Sequence, residues 1–209
     1  MMRNPIGLFL ISGMVLGLSL GIPGGQAGDA QPAGLEVIVC NPLLGQINSD
    51  NTWEAAKAAG VKGLELAVGS DLVCSSVFVN GQTPYRLDTP ENAEKIRADA
   101  QAQGLVTPVI CAGIQLQAAE KPAAPEWALK LIANAPHAGA NLIYFPLSFG
   151  RSATPDNVQA NTDLAIAVLK ELTAHGKQHG VAVCIENLQR YWNRPDYLRP
   201  VLKAFTPDE

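Results

Sequence analysis

From residue 35 onward the chain alternates between short, nearly continuous apolar runs and longer segments whose apolar residues recur three and four positions apart. The runs Leu35 to Cys40, Gly63 to Val68, Val106 to Cys111, Asn141 to Leu147 and Val181 to Ile185 have the length of strands buried on both faces. Each is followed by a helical pattern. In the third helix Ala128, Leu131, Ile132 and Ala135 make an i, i+3, i+4, i+7 stripe, and Ala165, Val168, Leu169 and Leu172 repeat it in the fourth. Such stripes are surfaces for packing on a sheet. The second helix is expected to start at Thr89-Pro90-Glu91 and the fourth at Thr154-Pro155-Asp156. Each start has a hydroxyl cap, a proline in the first turn and an acid beside the positive helix end. Consecutive βα units without a hairpin signal predict an α/β protein with a parallel sheet. Right-handed crossovers leave two forms of it, a doubly wound open sheet or part of an eight-stranded barrel.

The parity of two strands favours the barrel. In the last run Ala182, Cys184 and Glu186 share one face and Val181, Val183 and Ile185 the other. In the second, Glu65 and Ala67 oppose Leu64, Leu66 and Val68. Small residues and acids on one face, with branched residues against a helix layer on the other, suit a closed barrel. No glycine-rich phosphate turn follows any strand. The expected fold is therefore a (β/α)8 barrel over residues 35–209. A closed barrel needs roughly 250 residues. The chain reaches Thr206-Pro207-Asp208-Glu209 just after its fifth helix, so about five of eight units are expected and the domain is read as truncated at its C-terminus.

The first stretch follows another rule. Met1-Met2-Arg3 precedes the apolar run Ile6 to Ile22, and small residues follow at Gly25-Gln26-Ala27. That order predicts a secretory signal peptide over 1–27, a linker over 28–34 and an exported protein, periplasmic or extracellular; a retained membrane anchor is the competing reading. Loss of Arg3 with that segment would move the formal charge from −4 to −5, so bulk charge offers nothing to a polyanion and no nucleic-acid partner is expected. At 47% hydrophobic and 16% charged residues, the chain is too apolar to be disordered. The four cysteines, Cys40, Cys74, Cys111 and Cys184, are far apart and mostly in strand-like runs. They read as buried small hydrophobes rather than as bridges, and no CxxC or Cys/His zinc spacing is present.

Candidate chemistry gathers where strands end. Glu186 closes a buried strand, the position at which barrels carry their active sites. Glu65 shares its inward parity, and an unpaired acid inside a barrel needs a reason, either substrate contact or a basic partner. Asn187 and Gln189 are placed to orient Glu186 or to bind hydroxyls. Arg190, Tyr191, Trp192 and Arg194 combine guanidinium forks for anions with aromatic planes for a sugar ring, or else form a lid packed on itself. Gly150-Arg151-Ser152 precedes the fourth helix at the same rim, where an anion could meet free N–H groups. His175 and His179 have an i, i+4 spacing but precede a strand, which puts them at the other end; they and His137 suit helix C-termini without a metal.

Three stretches then act together. Ala58-Ala59-Gly60-Val61-Lys62-Gly63-Leu64-Glu65-Leu66, His179-Gly180-Val181-Ala182-Val183-Cys184-Ile185-Glu186-Asn187 and Arg194-Pro195-Asp196-Tyr197-Leu198 resemble the xylose isomerase-like superfamily of sugar phosphate isomerases and epimerases. These are divalent-metal TIM barrels. The resemblance implies that Glu186 is a metal ligand and one of two acid/base groups. The ion would be Mn²⁺, Co²⁺, Mg²⁺ or Zn²⁺, and an aspartate, a histidine and a glutamate from the last three strands, beyond Glu209, would complete its ligands. It implies a small-molecule carbohydrate substrate and proton transfer through an enediolate, with Glu65, Asn187, Gln189, Arg190 and Trp192 as substrate contacts. Leu188 stands where the family often has histidine. The 209 residues alone are expected to be inactive. The competing readings are a non-catalytic carbohydrate-binding or degenerate barrel and an endonuclease IV-like DNA hydrolase; acidic charge and the signal segment speak against the hydrolase.

Overall fold

In the computed structural model the described residues are 38–40, 44–116, 123–149, 155–186 and 194–206. The expected signal segment and linker lie outside them. In chain order the elements are β1 (Ile38–Cys40), α1 (Thr52–Ala59), β2 (Gly63–Ala67), α2 (Pro90–Ala102), β3 (Val106–Cys111), β4 (Ile114–Gln115), α3 (Glu126–Asn134), β5 (Leu142–Ser148), α4 (Val158–His179), β6 (Ala182–Glu186) and α5 (Pro195–Lys203). No helix among the described residues is long and apolar enough to cross a membrane.

The helix ends follow local chemistry. Asn51 caps α1 by accepting from the N–H groups of Trp53 and Glu54, and Gly60 closes that helix at φ 68°, where a side chain would be strained. Thr89 caps α2 through the N–H of Asn92, with Pro90 in the first turn, as the sequence predicts. The fourth helix departs from expectation. Pro155–Asn157 form a 3-10 turn and the α-helix begins only at Val158, with no side-chain cap from Asn157. Thr154, the expected cap, lies outside the described residues.

All pairings between these strands are parallel, and β1, β2, β3, β5 and β6 lie side by side in chain order. The two-residue β4 resumes the line of β3 along β5, after a break at Ala112 and Gly113. A doubly wound sheet reverses its order at a switch point; here no reversal occurs, so right-handed crossovers put every helix on the same face. This is the winding of a barrel, and the open-sheet alternative is excluded. The helix-facing side chains Ile143, Phe145 and Leu147 of β5 are fully buried, as are Ala128, Leu131, Ile132 and Ala135 of the α3 stripe and Ala165, Val168, Leu169 and Leu172 of α4.

Two features alter what the strand pattern suggests. Gly63 pairs with Val106 but Glu65 with Val109, so β3 carries one extra residue opposite β2. Pro108, which has no N–H to give a ladder, sits within that irregularity. Residues 68–89, between β2 and α2, also form antiparallel bridges, Val68 to Cys74, Val73 to Arg86 and Val79 to Gln82, contrary to the expected absence of hairpin structure. Leu72 and Asn80 turn this segment at positive φ, a route that hydrophobic periodicity does not encode. It packs Leu72, Cys74, Val77, Tyr85 and Leu87 into the core.

Cys74, Cys111 and Cys184 are free thiols, and the side chain of Cys40 lies outside what the structure describes. Cys74 is buried, but Cys184 is exposed, which corrects its reading as a buried hydrophobe. It stands on the inner face of β6, where no strand among the described residues pairs beyond it.

The approach of α4 to β6 depends on one glycine. A Cβ at Gly176 would lie 2.6 Å from the Val181 carbonyl oxygen and 2.8 Å from Val183 Cγ2. Gly176→Ala is therefore expected to lower stability by about 1–3 kcal/mol, the usual cost of overpacking. Urea unfolding of both proteins checks this, and an unchanged midpoint would show that the helix does not pack so closely.

Candidate functional site

Register assembles the inner face. One row runs through Glu65, Val109, Leu142 and Ala182, and the next through Ala67, Cys111, Tyr144 and Cys184. Glu186 ends β6 opposite Pro146. The side chain of Ser76, on the segment over the carboxyl end of β2, accepts from the Ala67 N–H at 2.9 Å and donates to the Glu65 carbonyl at 3.5 Å. These contacts fix the backbone that carries Glu65.

The electrostatics are one-sided. Glu65 is 7% exposed, and its Oε1 is buried without a hydrogen-bond partner; Glu186 Oε2 is in the same condition. Burial, and then the charge of Glu65, raises the Glu186 carboxyl above its ordinary value. Burial pushes the Cys111 thiol up to about 11; Tyr144 opposes this, while the charges of Glu65 and Glu186 add to it. Burial and then contact with Cys111 and Glu65 raise the Tyr144 phenol, which therefore stays a neutral O–H. Two acids, a phenol and a thiol thus influence one another inside the sheet.

The sequence places Glu65 and Glu186 on one face, and the structure brings them within electrostatic reach. Asn187, Gln189, Arg190 and Trp192, with Tyr191 and Arg151, lie outside the described residues. Arg194 precedes α5, bonds Asp196 at 3.1 Å and lies 5.5 Å from the Tyr197 ring centre. The His175 and His179 rings lie 4.7 Å apart at a tilt of 50°, and His179 lines a cleft with Arg97, Asn141 and Gly180 at the amino ends of β5 and β6. His137 bonds Glu94 at 3.0 Å. The histidines thus occupy the end away from Glu186, as expected. Sequence reasoning missed Tyr144 as a site member. Its signal was legible, because Tyr144 alternates with the helix-facing Ile143 and Phe145.

As a metal centre the described residues are partial. No three His, Cys, Asp or Glu side chains among them are grouped to hold an ion. The unpartnered Glu186 oxygen fits one ligand position, whereas divalent ions want four or more.

A parallel barrel-type sheet with an acid closing its last described strand defines a class of protein, and the comparisons place this chain within it. The family model for the xylose isomerase-like TIM barrel matches residues 53–208, and the chain belongs to that family. Among solved structures it is similar to a xylose isomerase domain protein from Planctomyces limnophilus, at 19% identity and a TM-score of 0.46, covering 74% of this chain and 55% of that one. It is also similar to a sugar phosphate isomerase/epimerase from Parabacteroides distasonis, at 14% identity and a TM-score of 0.51, covering 87% of this chain and 68% of that one. The chain thus spans about half the length of the first. No curated protein matches it in sequence.

The raised Glu186 carboxyl has a consequence for stability. Its charged form is disfavoured in the folded state, so the penalty is present in full above the raised value and disappears below the ordinary value of 4.5. Glu186→Gln is therefore expected to raise the melting temperature at pH 7, and the gain should vanish as pH falls below that value. Equal or lower melting of the variant at pH 7 would contradict the penalty that burial, and then the Glu65 charge, places on the Glu186 carboxylate.

Proposed function

We propose that the protein is a divalent-metal-dependent sugar isomerase or epimerase that moves a proton between adjacent carbons through an enediolate. The observation that carries this reading is the buried, unpartnered oxygen of Glu186 at the carboxyl end of β6, where the family resemblance puts a metal ligand. Barrel enzymes of this winding keep their chemistry at that rim. A bound Mn²⁺, Co²⁺, Mg²⁺ or Zn²⁺ supplies polarisation of a ketose carbonyl. Glu186 would hold the ion and exchange the proton, with the remaining ligands on later strands. Glu65 would face the substrate from the opposite wall, and Asn187, Gln189, Arg190 and Trp192 would complete its contacts from the loop after β6. The segment 1–27 supports export to the periplasm or beyond the cell.

The reading is tested on the full-length polypeptide with Mn²⁺ and a panel of ketoses and aldoses. Glu186→Gln is expected to abolish metal retention and to lower turnover by at least about a hundredfold, since it deletes a ligand charge and a proton carrier together. Full activity in that variant would show Glu186 to be misassigned. Sugar binding without turnover or metal retention in the unaltered protein would assign the chain to the non-catalytic carbohydrate-binding reading.

A further inference from the structure

The amino ends of the strands hold a second recess, away from Glu186. Arg97, Pro136, Gly139, Asn141, His179 and Gly180 line a cleft of about 250 Å³ there. Pockets for whole organic ligands run to roughly 300–1,000 Å³, so this one suits a small group. Three polar side chains line it from three elements: Arg97 from α2, Asn141 from just before β5 and His179 from the last turn of α4. All three are exposed, so water serves them while the cleft is empty.

Arg97 is laid in place by packing. Gly139, at φ 86°, lies against its stem: a Cβ there would be 3.5 Å from Arg97 Cγ and 3.6 Å from Cδ. The stem thus follows the turn after α3. Among the described residues its guanidinium makes no ion pair or hydrogen bond, whereas Arg86 and Arg194 each hold an aspartate. A guanidinium that served only to close α3 would bond one of the last carbonyls of that helix. Those are already served, Ala135 by the Ala140 N–H at 2.9 Å and Asn134 by the Ala138 N–H at 3.3 Å.

The charge here runs against that of the chain, which is acidic as a whole. Segments 136–141 and 172–185 supply most of the cleft and contain no acid, and Lys177 stands in the last turn of α4 with His179. On α2 the acids beside Arg97 are committed elsewhere, Glu94 to His137 at 3.0 Å and Asp99 to the Tyr85 hydroxyl at 2.7 Å. The negative ends of α3 and α4 are turned to the same side, and Arg97 and Lys177 offset them. A divalent ion clamped between His175 and His179 would therefore meet two cations. An oxyanion would meet donors: the Arg97 fork, the Asn141 amide and an N–H of His179. A carboxylate brings two oxygens to these three donors, whereas a phosphate group brings enough for all of them.

We propose that Arg97, Asn141 and His179 form a binding site for a phosphate group, free or carried by a lipid headgroup, separate from the sugar chemistry at Glu186. The cleft lies at the end of the sheet opposite Glu186, so the proposal stands apart from the isomerase reading.

The test is calorimetric titration of the metal-stripped full-length polypeptide with inorganic phosphate, acetate and, separately, Zn²⁺, all at one ionic strength so that screening is constant. Phosphate is expected to bind at least about tenfold tighter than acetate. Arg97→Gln should weaken phosphate binding by about tenfold or more, and Asn141→Ala and His179→Gln by about threefold or more each. Arg97→Lys, which keeps the charge and loses the fork, should fall between. Arg199→Gln, the same charge change on α5, and Glu186→Gln should bind phosphate as the unaltered protein does, with thermal melts confirming that every variant is folded. Sedimentation with phosphatidylcholine vesicles containing about one-third phosphatidylglycerol then identifies the source: retention that Arg97→Gln abolishes assigns a headgroup, and phosphate binding without retention assigns free phosphate. Full affinity in Arg97→Gln, an equal loss in Arg199→Gln or Glu186→Gln, acetate as tight as phosphate, or no binding in either form would each overturn the proposal. So would Zn²⁺ binding that His175→Gln removes, since the cleft would then belong to a cation.

Discussion

The parallel backbone ladder, running in chain order from β1 to β6, is the constraint on which the rest depends. It gives every crossover the same direction and therefore puts every helix on the same face. Ile143, Phe145 and Leu147 are buried against that layer, and the alternate residues are left to the interior of the sheet. The irregularity in β3 sets the phase of this arrangement. Without the extra residue near Pro108, Val109 and Cys111 would turn to the helix layer, because a one-residue slip exchanges the faces of a strand. Cys111 would then be lost from the row it shares with Tyr144. A proline that looks like a fault in a central strand thus determines which side chains meet.

That same ladder creates an electrostatic tension. Glu65 and Glu186 are carried to one face by strand parity, and burial gives each an oxygen with no donor. The fold cannot relieve this by moving either residue, because each is pinned by backbone pairing on both sides or at a strand end. The segment 68–89 adds to the confinement, since its buried Leu72, Cys74 and Val77 cover the carboxyl end of β2 and Ser76 fixes the Glu65 backbone. Sites held in this way trade stability for readiness to bind.

Much of this was legible in the sequence because it rests on two periods. The alternation of Leu64 and Leu66 with Glu65 and Ala67, and of Val183 and Ile185 with Cys184 and Glu186, is enough to place both acids on one face. Thr89 and Pro90 marked a helix start through a mechanism that tertiary structure does not override. Other features lacked a local signal. The route of residues 68–89 depends on non-glycine residues at positive φ, and β4 exists only because β5 offers it an edge. The late start of α4 reflects competition between a tight turn at Pro155 and the helix itself. Cys184 was misread because burial depends on what lies across the sheet, which the strand alone does not say.

The distribution of unmet polar groups narrows the site further than family membership does. Among the described residues, the buried side-chain atoms without partners belong to Glu65, Glu186 and Asn161. Asn161 begins the inward stripe of α4, a helix whose amino end follows β5 and so lies toward the carboxyl rim. Helical side chains lean toward the amino end, which aims its amide at that rim. At the opposite end His137 bonds Glu94, Thr107 bonds the Ala138 carbonyl, and the C-terminal turn of α4 is closed by Gly180. Polar satisfaction is therefore nearly complete where the strands begin and fails from the middle of β2 to the rim. A fold that only needed to be stable would gain by filling those positions with apolar side chains of similar volume. Their retention toward one end of the sheet is the physical sign that something other than the described residues completes them.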